Sequence, residues 1–151
     1  MKIVVSDDLP ESALDILRSA GWTVDARSGR KPDELAKDLA DADALIVRSA
    51  TKVTKDLLAA APRLRIIGRA GSGVDNIDMP AASGRGVLVV NAPGANSIAV
   101  AEQALALMLS LARSVPAADQ AMKAGKWEKK KFMGTELRGK TLGIAGLGRK
   151  I

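Results

Sequence analysis

A glycine-rich stretch with an arginine beside it, Gly68–Asp78, has the residue types best suited to holding an anionic ligand. It follows the apolar run Leu64–Ile67, which is typical of a short buried strand. Glycines allow a sharp turn and close approach of a ligand, and successive backbone N–H groups can form an anion site. The Arg69 guanidinium could hold a carboxylate or phosphate with two hydrogen bonds. The spacing Gly71-x-Gly73 is a weak signal by itself, because ordinary strand-to-helix turns share it.

Polar residues also follow the neighbouring predicted strands. Arg48 comes directly after the apolar segment 44–47, and Ser72 and Gly73 follow the strand that ends before the glycine-rich stretch. In a parallel sheet, ligands bind beyond the carboxyl ends of the strands. We therefore expect Arg48, Arg69 and the Ser72–Gly73 turn to lie at one rim and to bind a small acidic ligand. Two amides follow the fifth predicted strand and belong to the same rim: Asn91 and Asn96.

The composition excludes several kinds of chemistry. The 151 residues include no cysteine and no histidine, so the chain offers neither a thiolate nor the commonest metal ligand, and we expect no metal site. No basic segment followed by an apolar one precedes the first predicted strand, which favours a cytoplasmic protein. At 47% hydrophobic and 26% charged residues, the composition is typical of a globular protein.

The net charge of +6 is concentrated in the second part of the chain. Residues 1–96 contain 13 Lys/Arg and 13 Asp/Glu, whereas residues 97–151 contain 10 and 4. Such a patch could attract nucleic acid or an anionic substrate. Only three aromatic residues (Trp22, Trp127 and Phe132) are present to stack on bases, so we expect a solvated basic face and no nucleic-acid partner.

Residues 1–96 alternate between short apolar runs and segments of helical periodicity. The pattern predicts strands at 2–6, 22–26, 44–47, 64–67 and 87–90, and helices at 10–20, 31–40, 55–61 and 79–83. Thr54 and Asp78 stand at N-cap positions of the last two helices. Nearly unbroken apolar strands that alternate with helices predict a parallel sheet covered on both faces.

The rest of the chain predicts a long helix and one more strand. Residues 97–124 are expected to form one helix capped by Ser97, with a possible kink at Pro116, and apolar on almost every side. Such a helix is buried between domains or subunits, and this one is too interrupted to span a membrane. A strand is predicted at 142–145, followed by Gly146-Leu147-Gly148-Arg149, the opening of a dinucleotide-binding turn. The turn is incomplete, because its third glycine would fall at Ile151.

Four segments together resemble the D-2-hydroxyacid dehydrogenases. They are residues 47–54 (Val-Arg-Ser-Ala-Thr-Lys-Val-Thr), 68–78 (Gly-Arg-Ala-Gly-Ser-Gly-Val-Asp-Asn-Ile-Asp), 91–102, and 126–149. The resemblance covers the chain up to Arg149. Within it, residues 127–137 (Trp-Glu-Lys-Lys-Lys-Phe-Met-Gly-Thr-Glu-Leu) are similar to the branch that acts on D-3-phosphoglycerate in serine biosynthesis, rather than to the lactate or formate branches.

The resemblance implies a domain plan. Residues 1–96 would form a flavodoxin-like α/β substrate-binding domain with a parallel sheet, lacking its C-terminal return segment. Residues 97–124 would form a helix that links the domains and makes a homo-oligomer. Residues 125–151 would begin a truncated Rossmann domain for NAD, starting with its first strand.

The resemblance also implies roles for single residues. Arg48 and Arg69 would face the phosphate and the carboxylate of D-3-phosphoglycerate, and the backbone N–H groups of Ser72 and Gly73 would face the carboxylate. The remaining substrate-binding residues would be Asn96 and Lys129, the latter reaching the substrate of a neighbouring subunit. The NAD-binding residues would be Ser72, Val100, Gly146, Gly148 and Arg149.

One departure from the family limits the function we expect. The family's catalytic arginine, glutamate and histidine lie in a later part of a longer chain, and this chain contains no histidine at all. We therefore expect it to contain no catalytic residue. It would be an inactive amino-terminal fragment of an NAD-dependent enzyme that oxidises D-3-phosphoglycerate to 3-phosphohydroxypyruvate. The alternative is a non-catalytic module that binds anions or pairs with a full-length subunit.

Overall fold

A computed structural model describes residues 1–146 and residue 148. The chain forms two compact units, Met1–Ala95 and Asn96–Ile151. Each unit is described by itself.

The first unit is built on a five-stranded parallel sheet. Its strands are β1 (Lys2–Val5), β2 (Thr23–Ala26), β3 (Ala44–Val47), β4 (Ile66–Arg69) and β5 (Leu88–Asn91). They are arranged in the order β2-β1-β3-β4-β5, and every pair is parallel. This is the flavodoxin-like strand order, so the predicted fold class is confirmed for this unit.

Four helices connect the strands. They are α1 (Glu11–Ser19), α2 (Pro32–Leu39), α3 (Lys55–Ala59) and α4 (Met79–Gly84). Both predicted N-caps are present: the Thr54 side chain accepts a hydrogen bond from the Leu57 N–H, and the Asp78 side chain accepts one from the Ala81 N–H. These bonds satisfy backbone donors that have no partner inside the helix.

The sheet is packed unequally on its two faces. On one face, Val4, Leu45 and Ile67 are fully buried against α2, α3 and α4. On the other face, Ile3 and Val5 pack against α1. Because α1 covers only part of that second face, the side chains of Leu88 and Val90 on β5 remain 57% and 45% exposed. On the first face the packed side chains thus extend from Val4 of β1 to Val89 of β5 and lie beneath β3 and β4.

The second unit contains two helices where the sequence predicted one. Helix α5 spans Ser97–Ala112 and α6 spans Val115–Lys123, with a bend of 64° between them. The break lies at Ser114, which has a left-handed backbone (φ 52°), and Pro116 sits in the first turn of α6. The prediction of one helix over 97–124 is therefore wrong, as is the cap assignment, because α5 is preceded by Asn96 as its N-cap residue. Proline is well tolerated at a helix start, where its missing N–H has no helical partner.

The strand predicted at 142–145 is also absent. The structure gives residues 141–146 neither helical nor strand conformation. A strand needs a neighbour to accept and donate its backbone hydrogen bonds, and the described part of the second unit contains no other strand. A short 3-10 helix, Lys129–Phe132, is the remaining regular element described there. No single helix among the described residues is long and apolar enough to cross a bilayer, and α5 and α6 meet that test only as a bent pair.

Candidate anion-binding site

The polar residues that the sequence singled out in the first unit lie at the carboxyl edge of the sheet. In the register of the sheet, Arg69 stands between Val47 of β3 and Asn91 of β5. Arg48 is the next residue after Val47, so it leaves the sheet beside Arg69. Parallel strands end at a common edge, and this edge is where such folds bind ligands.

Asp7 holds the segment that carries Arg48. Its Oδ2 accepts hydrogen bonds from the N–H groups of Arg48 (2.6 Å), Ala50 (3.2 Å) and Thr51 (3.2 Å). Its Oδ1 accepts one from the Thr51 hydroxyl at 2.5 Å, and that hydroxyl is also bonded to the Ser6 hydroxyl at 2.9 Å. Burial by itself would raise the pKa of the Asp7 carboxyl, but the bonds from the Thr51 hydroxyl and the three N–H groups outweigh it, so the pKa is lowered. The ionised Asp7 carboxylate therefore holds the start of this loop through four hydrogen bonds.

The glycines after β4 leave room for the ends of two neighbouring side chains. A Cβ on Gly71 would lie 2.4 Å from Arg69 Nη1, and a Cβ on Gly73 would lie 2.4 Å from Asp75 Oδ1. Neither glycine has a positive φ, so left-handed freedom does not explain them. The Gly71 N–H is bonded to the Arg69 carbonyl at 2.8 Å, which removes it from the expected row of free N–H donors. The loop thus fits closely around the Arg69 guanidinium.

The same loop is tied to the end of β5. The Ala92 N–H donates to the Gly71 carbonyl at 3.0 Å, and the Asn91 side-chain amide donates to the Ser72 carbonyl at 2.8 Å. The Ser72 hydroxyl donates to the Ala92 carbonyl at 3.4 Å. The Gly73 N–H makes no intramolecular hydrogen bond within the described residues. The predicted role of Gly73 as a donor to a ligand therefore stays a prediction.

Asn76 joins the two loops. Its Nδ2 donates to the carbonyls of Arg48 (2.9 Å) and Thr51 (2.7 Å), and its Oδ1 accepts from Arg69 Nε (3.2 Å). One amide side chain thus contacts both the backbone that carries the first arginine and the guanidinium of the second.

The two arginines retain unused donors. The exposed Arg48 donates from Nη1 to the Asp8 carbonyl at 3.2 Å, and the half-buried Arg69 donates only from Nε. Among the described residues, neither forms a salt bridge with a carboxylate. Unpaired guanidinium groups at a ligand-binding edge are suited to bind a phosphate or carboxylate.

Arg30, in the same unit, shows the opposite arrangement. Its side chain is 3% exposed and pairs with Asp25 and Asp38 at 2.7 and 2.8 Å. It also donates to the carbonyls of Val5, Arg27 and Asp25 at 2.7, 2.6 and 3.3 Å. All of its donors are therefore used inside the protein, and its role is to hold β1, β2 and α2 together.

A cavity of about 390 Å³ lies behind the loop that Asp7 holds. Asp7 and Arg30 line it, but their polar atoms are already bonded inside the protein. Among the described residues, the rest of the lining combines apolar residues with Ser6, Thr51, Lys52 and Thr54, so it offers a single further cation. The arginine-bearing rim is therefore the better candidate for an anion site.

The predicted residues of the second unit lie on three separate segments. Asn96 precedes α5, where its carbonyl accepts from the Val100 N–H at 3.0 Å, and the Val100 side chain is 37% exposed. Lys129 is exposed in the 3-10 helix, beside a small cavity of about 190 Å³ that Trp127 and Phe132 also line.

The last segment carries the predicted pyrophosphate turn. Gly146 and Gly148 are both described and lie in non-regular structure, and Arg149 lies outside the described residues. A pyrophosphate site needs glycines between a strand and the N-terminus of a helix. The described residues provide no strand before Gly146, so they do not fit NAD as they stand.

Sequence reasoning missed the two residues that organise the rim, Asp7 and Asn76. A signal for Asp7 was present, because a carboxylate directly after a buried strand must find donors or remain solvated. Asn76 lies inside the glycine-rich stretch 68–78, but no spacing rule distinguishes an amide that connects two loops from a solvated one.

The fold and the site together define a class, namely a parallel α/β ligand-binding domain with cationic groups at the carboxyl edge of its sheet. The chain belongs to the D-isomer specific 2-hydroxyacid dehydrogenases, whose catalytic-domain family model matches residues 3–141.

Individual relatives agree with this assignment. D-3-phosphoglycerate dehydrogenase of Archaeoglobus fulgidus is 53% identical over 149 residues, which is 99% of this chain and 28% of that protein. The crystal structure of the TT0316 protein from Thermus thermophilus matches with a TM-score of 0.91 at 34% identity, covering 99% of this chain and 50% of the other. The NAD+-bound 3-phosphoglycerate dehydrogenase of Entamoeba histolytica matches with a TM-score of 0.77 at 35% identity, over 99% and 47%. This chain therefore spans only about a quarter to a half of the length of these relatives.

Proposed function

We propose that the first unit is the substrate-binding part of an enzyme that oxidises D-3-phosphoglycerate to 3-phosphohydroxypyruvate with NAD. The observation that carries the proposal is the pair of guanidinium groups, Arg48 and Arg69, which lie at one edge of the sheet without carboxylate partners among the described residues. The names of the relatives supply the substrate and the cofactor.

The proposed ligand has two anionic groups, which matches two cations. Arg69 uses Nε for Asn76, so it would bind an anion through its two terminal nitrogens. Arg48 uses one hydrogen of Nη1 for the Asp8 carbonyl and keeps the rest of its donors. The Gly73 N–H, with Ser72 beside it, would donate to the ligand carboxylate.

The chain alone is expected to bind this ligand without oxidising it. The sequence contains no histidine to accept the hydroxyl proton. The described part of the nucleotide turn has no preceding strand, so we expect this chain to bind NAD weakly if at all. The roles of Asn96, Val100, Lys129, Gly146, Gly148 and Arg149 belong to the same proposal and rest on the family resemblance.

The test is an NMR shift titration of the 151-residue chain with D-3-phosphoglycerate and with glycerate. Phosphoglycerate should bind at millimolar concentration and more tightly than glycerate, because glycerate leaves one arginine without an anion. Arg48→Ala and Arg69→Ala should each weaken phosphoglycerate binding by about tenfold, which is ~1.4 kcal/mol. Added salt should weaken it as well.

The matched control is Arg63→Ala. It removes the same charge, but Arg63 precedes β4 and pairs with Asp43 at the amino edge of the sheet. It should leave the affinity unchanged apart from a small effect of net charge. Equal affinity for glycerate and phosphoglycerate, or equal effects of all three arginine substitutions, would contradict the anion site. NADH formation above that of a mock purification would contradict the expected inactivity.

A second candidate function is pairing with another subunit. Helix α5 favours it, because none of its residues is buried and several of its large apolar side chains are exposed. Large exposed apolar patches mark surfaces that associate. This function is compatible with anion binding by the first unit, and sedimentation velocity of the natural chain tests it.

A further inference from the structure

We propose that Asn76 is a positioning residue that fixes the spacing of the two arginines, and thereby selects ligands with two anionic groups over ligands with one. The inference rests on the proposed function and adds a residue to it. Asn76 lies in the loop after β4, two residues before the cap of α4.

The backbone around Asn76 pairs with the loop that follows β3. The Val53 N–H donates to the Asn76 carbonyl at 2.8 Å, and the Asp78 N–H donates to the Val53 carbonyl at 2.9 Å. Val53 and Ile77 form a parallel bridge outside the main sheet. The two ligand-facing loops are therefore joined at their bases, with the Asn76 side chain at the junction.

The chemistry of the contacts requires an amide. Two carbonyl oxygens, from Arg48 and Thr51, face Nδ2, and one donor, Arg69 Nε, faces Oδ1. A carboxylate would place an acceptor against two acceptors, and a rotated amide would do the same. All of the side chain's strong contacts depend on this one orientation.

The consequence concerns how each arginine is held. Arg69 is fixed at Nε, so its guanidinium plane and its two terminal nitrogens have a defined direction. The backbone of Arg48 is fixed at both its polar groups, because Asn76 donates to its carbonyl and Asp7 accepts from its N–H, and its side chain is directed by the bond from Nη1 to the Asp8 carbonyl. A preorganised pair loses less conformational entropy when a ligand binds to both groups at once. A ligand with one anion needs only one arginine and gains little from the fixed spacing.

The experiment compares three probes: D-3-phosphoglycerate, glycerate and inorganic phosphate. In Asn76→Ala, phosphoglycerate affinity should fall about fivefold, whereas glycerate and phosphate affinities should change less than about twofold, because preorganisation matters only when both arginines are engaged. The matched control is Asp78→Ala, which removes the cap of α4 and contacts neither arginine. It should lower stability and leave all three affinities unchanged.

A second measurement uses the unmodified chain and does not depend on the folding of a variant. The Nε–H of Arg69 is hydrogen-bonded, whereas the Nε–H of Arg48 has no hydrogen-bond partner within the described residues. In an ¹⁵N spectrum of the arginine side chains, the Arg69 Nε–H should exchange with water several times more slowly.

The outcomes separate the two proposals. If Arg48→Ala and Arg69→Ala leave phosphoglycerate binding unchanged, the anion site itself is refuted. The second outcome is that both arginine substitutions weaken phosphoglycerate binding, but Asn76→Ala lowers the affinities for all three probes equally or changes none of them. The positioning role is then refuted and the anion site stands. Equal exchange of the two Nε–H groups would also overturn the positioning role.

Discussion

Replacement of Asp7 tests most directly whether a buried carboxylate organises the rim. Asp7 is 8% exposed and accepts four hydrogen bonds from the segment that carries Arg48. Asp7→Ala removes every acceptor. Asp7→Asn keeps one oxygen for the three backbone N–H groups, and its amide nitrogen can donate to the Thr51 hydroxyl oxygen.

The magnitudes follow from these contacts. A buried donor that loses its partner costs about 1–3 kcal/mol, but Arg48 and Ala50 are exposed enough for water to replace part of the loss. We therefore expect Asp7→Ala to lower the free energy of unfolding by about 3 kcal/mol. Bonds to a charged group contribute about 1 kcal/mol more than neutral ones, so Asp7→Asn should lower it by about 1–2 kcal/mol.

The pH dependence gives an independent test of the charge. Because the pKa of Asp7 is lowered in the folded protein, its stabilising effect is fully present above the pKa of the unfolded chain, about 3.9. That effect is lost as the pH falls through the lower folded value. The difference in unfolding free energy between the natural chain and Asp7→Asn should be constant from about pH 7 to pH 5 and shrink below about pH 4.

Urea unfolding followed by tryptophan fluorescence measures these differences. Trp22 stands next to β2 in the first unit and Trp127 lies in the second, so a Trp127→Phe background isolates the first unit. Asp25 also has a lowered pKa, mainly because of its hydrogen bond with Arg27. Asp25 is present in every variant and the Asp7 substitutions do not contact it, so its effect on the pH dependence cancels in the difference. Two results would contradict this reasoning: equal destabilisation by Asp7→Asn and Asp7→Ala, or a difference in unfolding free energy between the natural chain and Asp7→Asn that is undiminished at pH 3. In either case the charge of Asp7 is not what holds the loop.

Two further predictions concern the glycine loop and α5. Gly71→Ala should fold normally but weaken phosphoglycerate binding severalfold in NMR titration, because the new Cβ would lie 2.4 Å from Arg69 Nη1 and displace the guanidinium. Gly84→Ala is the neutral control, because no atom lies within 4 Å of its added Cβ. Equal affinities of the two variants for phosphoglycerate would refute the steric argument. Sedimentation velocity at micromolar concentration should show dimers or larger species, since Leu107 and Leu111 are 60% and 84% exposed on α5. The double substitution Leu107→Lys and Leu111→Lys should shift the population to monomers. A natural chain that sediments as a monomer would contradict association through α5.

The sheet of the first unit was predictable because its signals are local and agree with each other. Apolar four-residue strands, turn glycines and the caps Thr54 and Asp78 all indicate the same alternation of strands and helices. The single long helix, its Ser97 cap and the last strand were predicted wrongly, and all three lie in the second unit. The helix break was signalled by Pro116, which favours the first turn of a new helix as much as a kink within an old one. The strand at 142–145 failed because apolar composition cannot supply the hydrogen-bonding neighbour that a strand requires.

The sequence predicted the positions of the candidate site's arginines but not whether their donors are free. Arg48 and Arg69 could be placed at one edge from topology alone, because parallel strands end together. The sequence could not show whether their guanidinium donors are free to bind a ligand, since Arg30 has the same side chain and is buried with all its donors used. What separates these arginines is the number of carboxylates and carbonyls within reach, a property of the folded chain that residue type and spacing do not encode. Two polar side chains that carry no chemistry of their own, Asp7 and Asn76, then convert that edge into a defined arrangement of charge. The specificity of the rim would therefore depend on these two side chains as much as on the arginines that contact the ligand.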